Sequence, residues 1–352
     1  MKHTLNGRWF PVWMWLLALP LLPVNAQETW KVDGKLLGEA KADGFEKSED
    51  VSGIACDRGT GFPRLCLLAD DETQGVQIVI LNDGELVAGD FIKLTNAQYD
   101  GKPLELDAEG VAFERGSFYV VGSHGRPRHH KDSKKEAANN AKAQATRQIF
   151  RVTLDASDVD MKNGKLVAQP AIKRSTDLAG ILQRQPDLSS SFDRELEENG
   201  LTIEGIAIRD GRLYVGMRGP VLDADAAVLS VPLSAVFEGQ EAASKLHRLA
   251  LEKDALGHSR GVRDIVRHAN GFLILAGPVN DPPDDREIQP TDYSIYEWDG
   301  EGRLERRRHI PVFGKKVKPE ALLPLDGDAQ RARILVLFDG PKEGAPRPLE
   351  LE

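Results

Sequence analysis

One pattern recurs along the chain and constrains its fold more than any other feature. A short apolar run opens on a small or acidic residue, makes a turn, and is followed by a second apolar run. Ser52-Gly53-Ile54-Ala55 leads to Leu65 through Asp70, Glu109-Gly110-Val111-Ala112-Phe113 to Gly116 through Gly122, and Glu204-Gly205-Ile206-Ala207-Ile208 to Gly211 through Gly216. Asp264-Ile265-Val266 leads to Gly271 through Gly277, and Glu320-Ala321-Leu322-Leu323 to Arg333 through Phe338. The runs are rich in Val, Ile, Leu, Phe and Tyr and are separated by Asp-Gly and Asn-Gly signals, as in antiparallel strands joined by tight turns.

Successive units begin 57, 95, 60 and 56 residues apart, and wrapping from Glu320 through the C-terminus and back from Gln27 to Ser52 spans 58. Repeats of this length, four strands each, describe the blades of a β-propeller. The expected class is therefore all-β, with five blades in one domain over 27–352. A strand near Trp30 to Leu37 is expected to complete the last blade and close the ring. The 95-residue interval holds two segments that do not read as strands. One is a basic, Ala-rich stretch at 126–147, expected to be an exposed loop or lid. The other is a helix and loop at 175–200. Six blades are the alternative if that interval hides one, and a two-sheet sandwich is the competing fold.

Residues 1–26 have the order of a cleavable export leader: Lys2 and Arg8, an apolar stretch from Trp9 to Leu22, then Val24-Asn25-Ala26 before Gln27. The apolar stretch is broken by Pro11 and Pro20 and is shorter than the roughly 20 residues a membrane span needs. A periplasmic or secreted protein without stable membrane insertion is the expectation. Cys56 and Cys66 are the two cysteines, and in an oxidising compartment they form a natural disulfide, closing a loop that contributes roughly 3 kcal/mol. The formal charge is −9 for the whole chain, and losing Lys2 and Arg8 with the leader makes it −11. With no concentrated basic face, nucleic acid is not an expected partner.

In a propeller the first strand of each blade lines the channel and the second runs back, so first-strand starts and second-strand ends share a face. At the starts lie Ser52, Glu109, Glu204, Asp264 and Glu320, and at the ends Asp70-Asp71-Glu72, His124 to Arg126, Arg218, Asp281 and Asp339. Carboxylates crowded around a narrow channel repel one another unless a cation or protons neutralise them. Hard oxygen ligands suit Ca²⁺ or Mg²⁺. Glu109, Glu204, Asp264 and Glu320 are the expected metal ligands, and Glu109 and Glu204 each precede a Gly expected to leave the channel wall open. His124, Arg126 and Arg218 are the expected catalytic or anion-holding groups. The competing account is that these acids cap backbone amides or pair with the arginines. Gly257-His258-Ser259-Arg260-Gly261 matches GxSxG, but a strand-like segment follows where a nucleophile elbow needs a helix. His129-His130 has no acidic companions and reads as solvated loop.

The segments Glu109 to Phe113, Val121 to Arg126, Glu204 to Ala207, Gly216 to Pro220 and Gly261 to Ile265 resemble an exported bacterial propeller family of unknown function, over nearly all of the mature chain. More distantly, the Glu-Gly-Ile/Val-Ala start is similar to phytase-like esterase and gluconolactonase-type propellers. In the latter a strand-start Glu before Gly binds a divalent cation, which implies that role for Glu109 or Glu204. The acidic calcium loops of true propeller phytases are not intact here, so the resemblance does not extend to phytate hydrolysis. Together these readings lead to a metal-assisted hydrolase of a small anionic ester, phosphoester or lactone. The alternative is a non-catalytic propeller binding a ligand or protein on the same face.

Overall fold

Apolar runs and Gly-containing turns give five blade sheets whose strands follow chain order from the channel outward, save one strand added at the outer edge of the first. The computed structural model describes Met1 and residues 28–127, 135–281, 286–328 and 331–351. The expected leader beyond Met1, and His129 and His130, lie outside these residues. Blade I comprises Val51–Cys56, Arg64–Asp70, Gly75–Asn82 and Glu85–Lys93. Blade II comprises Ala108–Glu114, Ser117–Gly122, Ile149–Thr153 and Ala171–Ser175. Blade III comprises Thr202–Arg209, Arg212–Gly219, Ala226–Pro232 and Lys245–Leu249. Blade IV comprises Arg260–His268, Gly271–Pro278, Ser294–Trp298 and Leu304–His309. Blade V has three strands, Lys318–Gly327, Ala332–Asp339 and Arg347–Leu351.

Each innermost strand packs on the next, and that of blade V on that of blade I, so the ring is closed around one channel. The apolar residues fall into five clusters, each filling the wedge between two adjacent blades. Burying both faces of every sheet explains why the inner strands read as nearly continuous apolar runs. Cys56 and Cys66 face each other across the first two strands of blade I and are joined as a disulfide.

Closure differs from the expected arrangement. Lys31–Asp33 does not complete the last blade; it pairs in parallel with Glu85, Leu86 and Val87 on the outer edge of blade I. Blade V keeps three strands. The two ends of the ring are joined by main-chain hydrogen bonds from Gly340 N to Glu49 O (2.8 Å), Glu343 N to Ser48 O (2.6 Å) and Trp30 N to Pro346 O (2.8 Å).

The long interval contains insertions rather than a blade. Between the second and third strands of blade II stands the helix Glu136–Thr146. Between blades II and III lie the helices Asp177–Arg184 and Pro186–Ser189, whose Leu178, Leu182 and Leu188 enter the wedge core. A second-strand end and a first-strand start share one face of a propeller, so both insertions rise around the same channel mouth.

Candidate functional site

Near its start every inner strand carries one extra residue that its partner strand skips: Ser52, Glu109, Glu204, Arg263 and Glu320. A β-bulge leaves that residue unpaired and re-aims its side chain. All five line one cavity of about 440 Å³ at the mouth where the insertions rise. The glycines after three of them serve contact rather than openness. A Cβ on Gly110 would lie 2.8 Å from Ile206 N, and one on Gly205 2.7 Å from Ile265 N. The neighbouring inner strands meet there, which corrects the expectation of an open wall.

In blade IV the bulged position belongs to Arg263, and Asp264 occupies the place of those glycines. Its carboxylate accepts from Ile265 N and from Leu322 N of the next blade, each at 2.7 Å. Asp264 thus joins two inner strands and does not line the cavity. The structure brings Glu109, Glu204 and Glu320 together there, with Arg126 and Arg218.

The cavity has two electrostatic halves. On the side of blades III to V, Arg263 is 3 % exposed and lies between two carboxylates, 3.4 Å from Glu204 Oε2 with its Nε 2.9 Å from Glu320 Oε2. Arg218 reaches the other oxygen of Glu204 at 3.2 Å and Asp281 at 2.8 Å, and donates its Nε to Val279 O. Lys318 pairs with Asp339 and lies 3.7 Å from Asp281. Burial pushes Glu320 up to about 7 although Arg263 pulls the other way. Arg218 is therefore engaged with Glu204 and Asp281, not presented bare to a ligand.

The half formed by blades I and II is acidic. One carboxylate oxygen from each of Asp71, Asp107 and Glu109 can be chosen so that all three lie within 4.8 Å of one another. Glu109 forms no ion pair or side-chain hydrogen bond among the described residues, and Asp71 Oδ1 is buried without a partner. Burial, then the charges of Glu204, Asp107 and Asp71, hold the Glu109 carboxyl well above its usual range. Burial and then Asp107 and Asp70 do the same to Asp71. Beside this cluster stand Arg126 and, from the inserted helix, Lys142, both lining the cavity and both without an ion pair among the described residues.

His124 does not reach the cavity. It is fully buried, its Nδ1 donates to Gly122 O at 2.9 Å, and its Nε2 has no partner among the described residues. Burial lowers it to about 4, so the ring is neutral. Ser259 of the GxSxG match sits in a loop entering the strand Arg260–His268, with the His258 side chain 72 % exposed, which is not a nucleophile elbow. Asp107, Arg263 and Lys142 were missed as site residues. Arg263 was recoverable from its flanks: Val262 and Ile265 match Ile203 and Ile206 around Glu204-Gly205, which puts Arg263 opposite Glu204. Lys142 carries no such signal, because its place depends on how the insertion folds back.

Residues 48–347 match the model of a family described as "Protein of unknown function (DUF3616)". No curated protein matches the chain. Among solved structures it is similar to a Trypanosoma rangeli sialidase in complex with the inhibitor DANA, with 10% identity, a TM-score of 0.42, and 91% of this chain against 58% of that one. An exo-β-1,3-galactanase from Clostridium thermocellum gives 10% identity and a TM-score of 0.41 over 91% of this chain and 61% of the other. A chain of a nidogen/laminin complex gives 10% and 0.37 over 92% and 94%. The chain spans about three-fifths of the length of the sialidase and the galactanase. None of these likenesses bears on the chemistry of the site.

Proposed function

The chain belongs to the DUF3616 family, and we propose that its channel mouth binds a divalent cation, Ca²⁺ or Mg²⁺, next to a small anionic ligand. The observation that carries this reading is the pairing of Asp71, Asp107 and Glu109 with the buried, partnerless Asp71 Oδ1. Oxygens within 4.8 Å of one another match the span across a cation whose ligands stand roughly 2.3–2.6 Å away. All-carboxylate donors suit a hard ion rather than a thiophilic one. Without an ion, burial and the neighbouring carboxylates hold the Asp71 and Glu109 carboxyls well above their usual range.

On this reading Arg126 and Lys142 hold the anionic group from the insertion side, and the Arg263 and Arg218 network keeps Glu204 and Glu320 neutralised. A bound cation would supply Lewis-acid polarisation of an ester, phosphoryl or lactone oxygen. Glu109 faces the cavity and its side chain accepts no hydrogen bond among the described residues, so it replaces the sealed His124 as the group to take a proton from water. The enzymatic reading is thus a metal-assisted hydrolase of a small anionic ester, phosphoester or lactone. The sealing of His124 gives weight to a second reading, a propeller that binds the same ligand without turning it over. The Cys56–Cys66 disulfide supports a periplasmic or secreted site of action. No helix among the described residues is long and apolar enough to cross a membrane.

Calorimetric titration of the purified protein with CaCl₂ and MgCl₂, followed by an ester, phosphoester and lactone panel, tests this. Binding of either ion, weakened at least tenfold by Glu109→Gln, is the expected result. Absence of binding for both ions removes the cation, and turnover without binding of either ion removes its role.

A further inference from the structure

The cavity does not end at the bulge ring. Leu196 and Asp281 line it on one side and, on the other, line a second cavity of about 460 Å³ at the edge of blades III and IV. They form a sill between a charged chamber and a groove of different character. Among the described residues its apolar or neutral walls, Val221, Leu256, Pro278 and Val279 with Asn199 and Asn280, stand beside ionisable side chains. Its charged residues are occupied. Asp254 accepts from Leu256 N and His258 N at 2.8 Å each, and Arg286 is held by Asp292 at 2.9 Å. The wall is also fixed in place, because Asn199 donates to Val221 O (3.0 Å) and accepts from Val221 N (2.8 Å). Leu256 is 53 % exposed, a large apolar side chain left at the rim of a cleft.

The geometry points to a two-part ligand: an anionic head in the acidic chamber and an uncharged, partly apolar tail crossing the sill into this groove. The inference rests on the cation-and-anion reading above and deepens it by giving the substrate class a direction. Chambers of a few hundred Å³ each take a drug-sized group, and an apolar wall with a few fixed polar atoms selects shape rather than charge. Ester or phosphoester substrates carrying an aryl or acyl tail fit it, whereas a bare anion fills only the chamber.

The test compares methyl phosphate with 1-naphthyl phosphate on the full protein by calorimetry, in Ca²⁺ or Mg²⁺. Wild type, Asn280→Trp, which fills the groove, and Leu256→Asp, which puts a charge at its exposed rim, are measured together. Naphthyl phosphate is expected to bind wild type at least tenfold more tightly, with the ratio falling to within about twofold in both variants. Equal affinities in wild type, or an unchanged ratio in both variants, overturn the groove and leave the chamber standing. If the cation binds and neither phosphate does, the anionic half of the chamber fails and the groove falls with it. Leu256→Asp alters an exposed residue, so it keeps the test decisive if Asn280→Trp does not fold.

Discussion

Asp70 offers the sharpest test of the electrostatic account. Its side chain is 2 % exposed, with Oδ2 2.6 Å from Ser48 Oγ and Oδ1 accepting from Glu72 N at 3.1 Å. Burial raises its pKa from 3.8 to about 7, with the charge of Asp50 adding to it and the Ser48 and Glu72 hydrogen bonds opposing. A carboxyl whose pKa is higher in the folded protein favours folding below its unfolded value and loses that contribution as pH rises through about 7. At about 1.4 kcal/mol per pH unit, holding this one group costs the fold about 2 kcal/mol at pH 5 and about 4 kcal/mol by pH 8. Asp70→Asn mimics the protonated acid. Its amide oxygen can accept from Glu72 N, and its amide nitrogen can donate to Ser48 Oγ. Urea denaturation in chelator should therefore find the variant more stable than wild type, with the margin widening by about 2–3 kcal/mol from pH 5 to pH 8. Parallel pH profiles, or a wild type that is the more stable protein at pH 8, would refute the claim that burial holds Asp70 protonated.

Other perturbations separate the remaining parts of the argument. Glu109→Gln should raise the melting temperature of the chelated protein at pH 8, because it removes a half-buried acid whose pKa is raised by desolvation and neighbouring carboxylates; a fall would refute that electrostatic cost. Arg218→Met leaves Glu204 buried beside Arg263 alone and should cost about 3–5 kcal/mol in urea unfolding, with Glu204→Gln in the same chain restoring much of it. Gly110→Ala drives a Cβ onto the backbone of Ile206 and should cost more than about 2 kcal/mol; a neutral effect would show that the blades can part there. Reduction of the Cys56–Cys66 bond should lower stability by about 2–4 kcal/mol, read from melting with and without reductant.

The blades were legible because the apolar runs and their turns repeat, and because neither insertion has the alternation of a strand. The disulfide was legible because the two cysteines fall at the facing ends of the two strands of one hairpin. The ring position in blade IV was misassigned by matching carboxylate to carboxylate. Arg263 rather than Asp264 holds it, since the phase is set by the apolar flanks that enter the wedge cores, not by the sign of the charge between them. His124 follows a strand end that points toward the mouth, yet it adopts a positive φ of 56° and is turned inward. That backbone state is not written in its neighbours. Asp107, two residues ahead of Glu109, also sits at positive φ, and it joins the acidic cluster only because the chain kinks before the strand begins.

The three-stranded last blade has a consequence of its own. A ring whose final sheet is completed by a strand from the other terminus is locked like a buckle; this one is closed like a clasp, by the apolar wedge between blades V and I and a few main-chain bonds between Ser48–Glu49 and Gly340–Glu343. Asp50 and Asp339 bridge that seam, and both also line the chamber. Repulsion between Asp50 and Asp339 pushes the clasp apart, and Lys318, paired with Asp339, holds it shut. Amides of Arg347–Leu351, on the outer edge of the unbuckled sheet, are where the ring would first breathe.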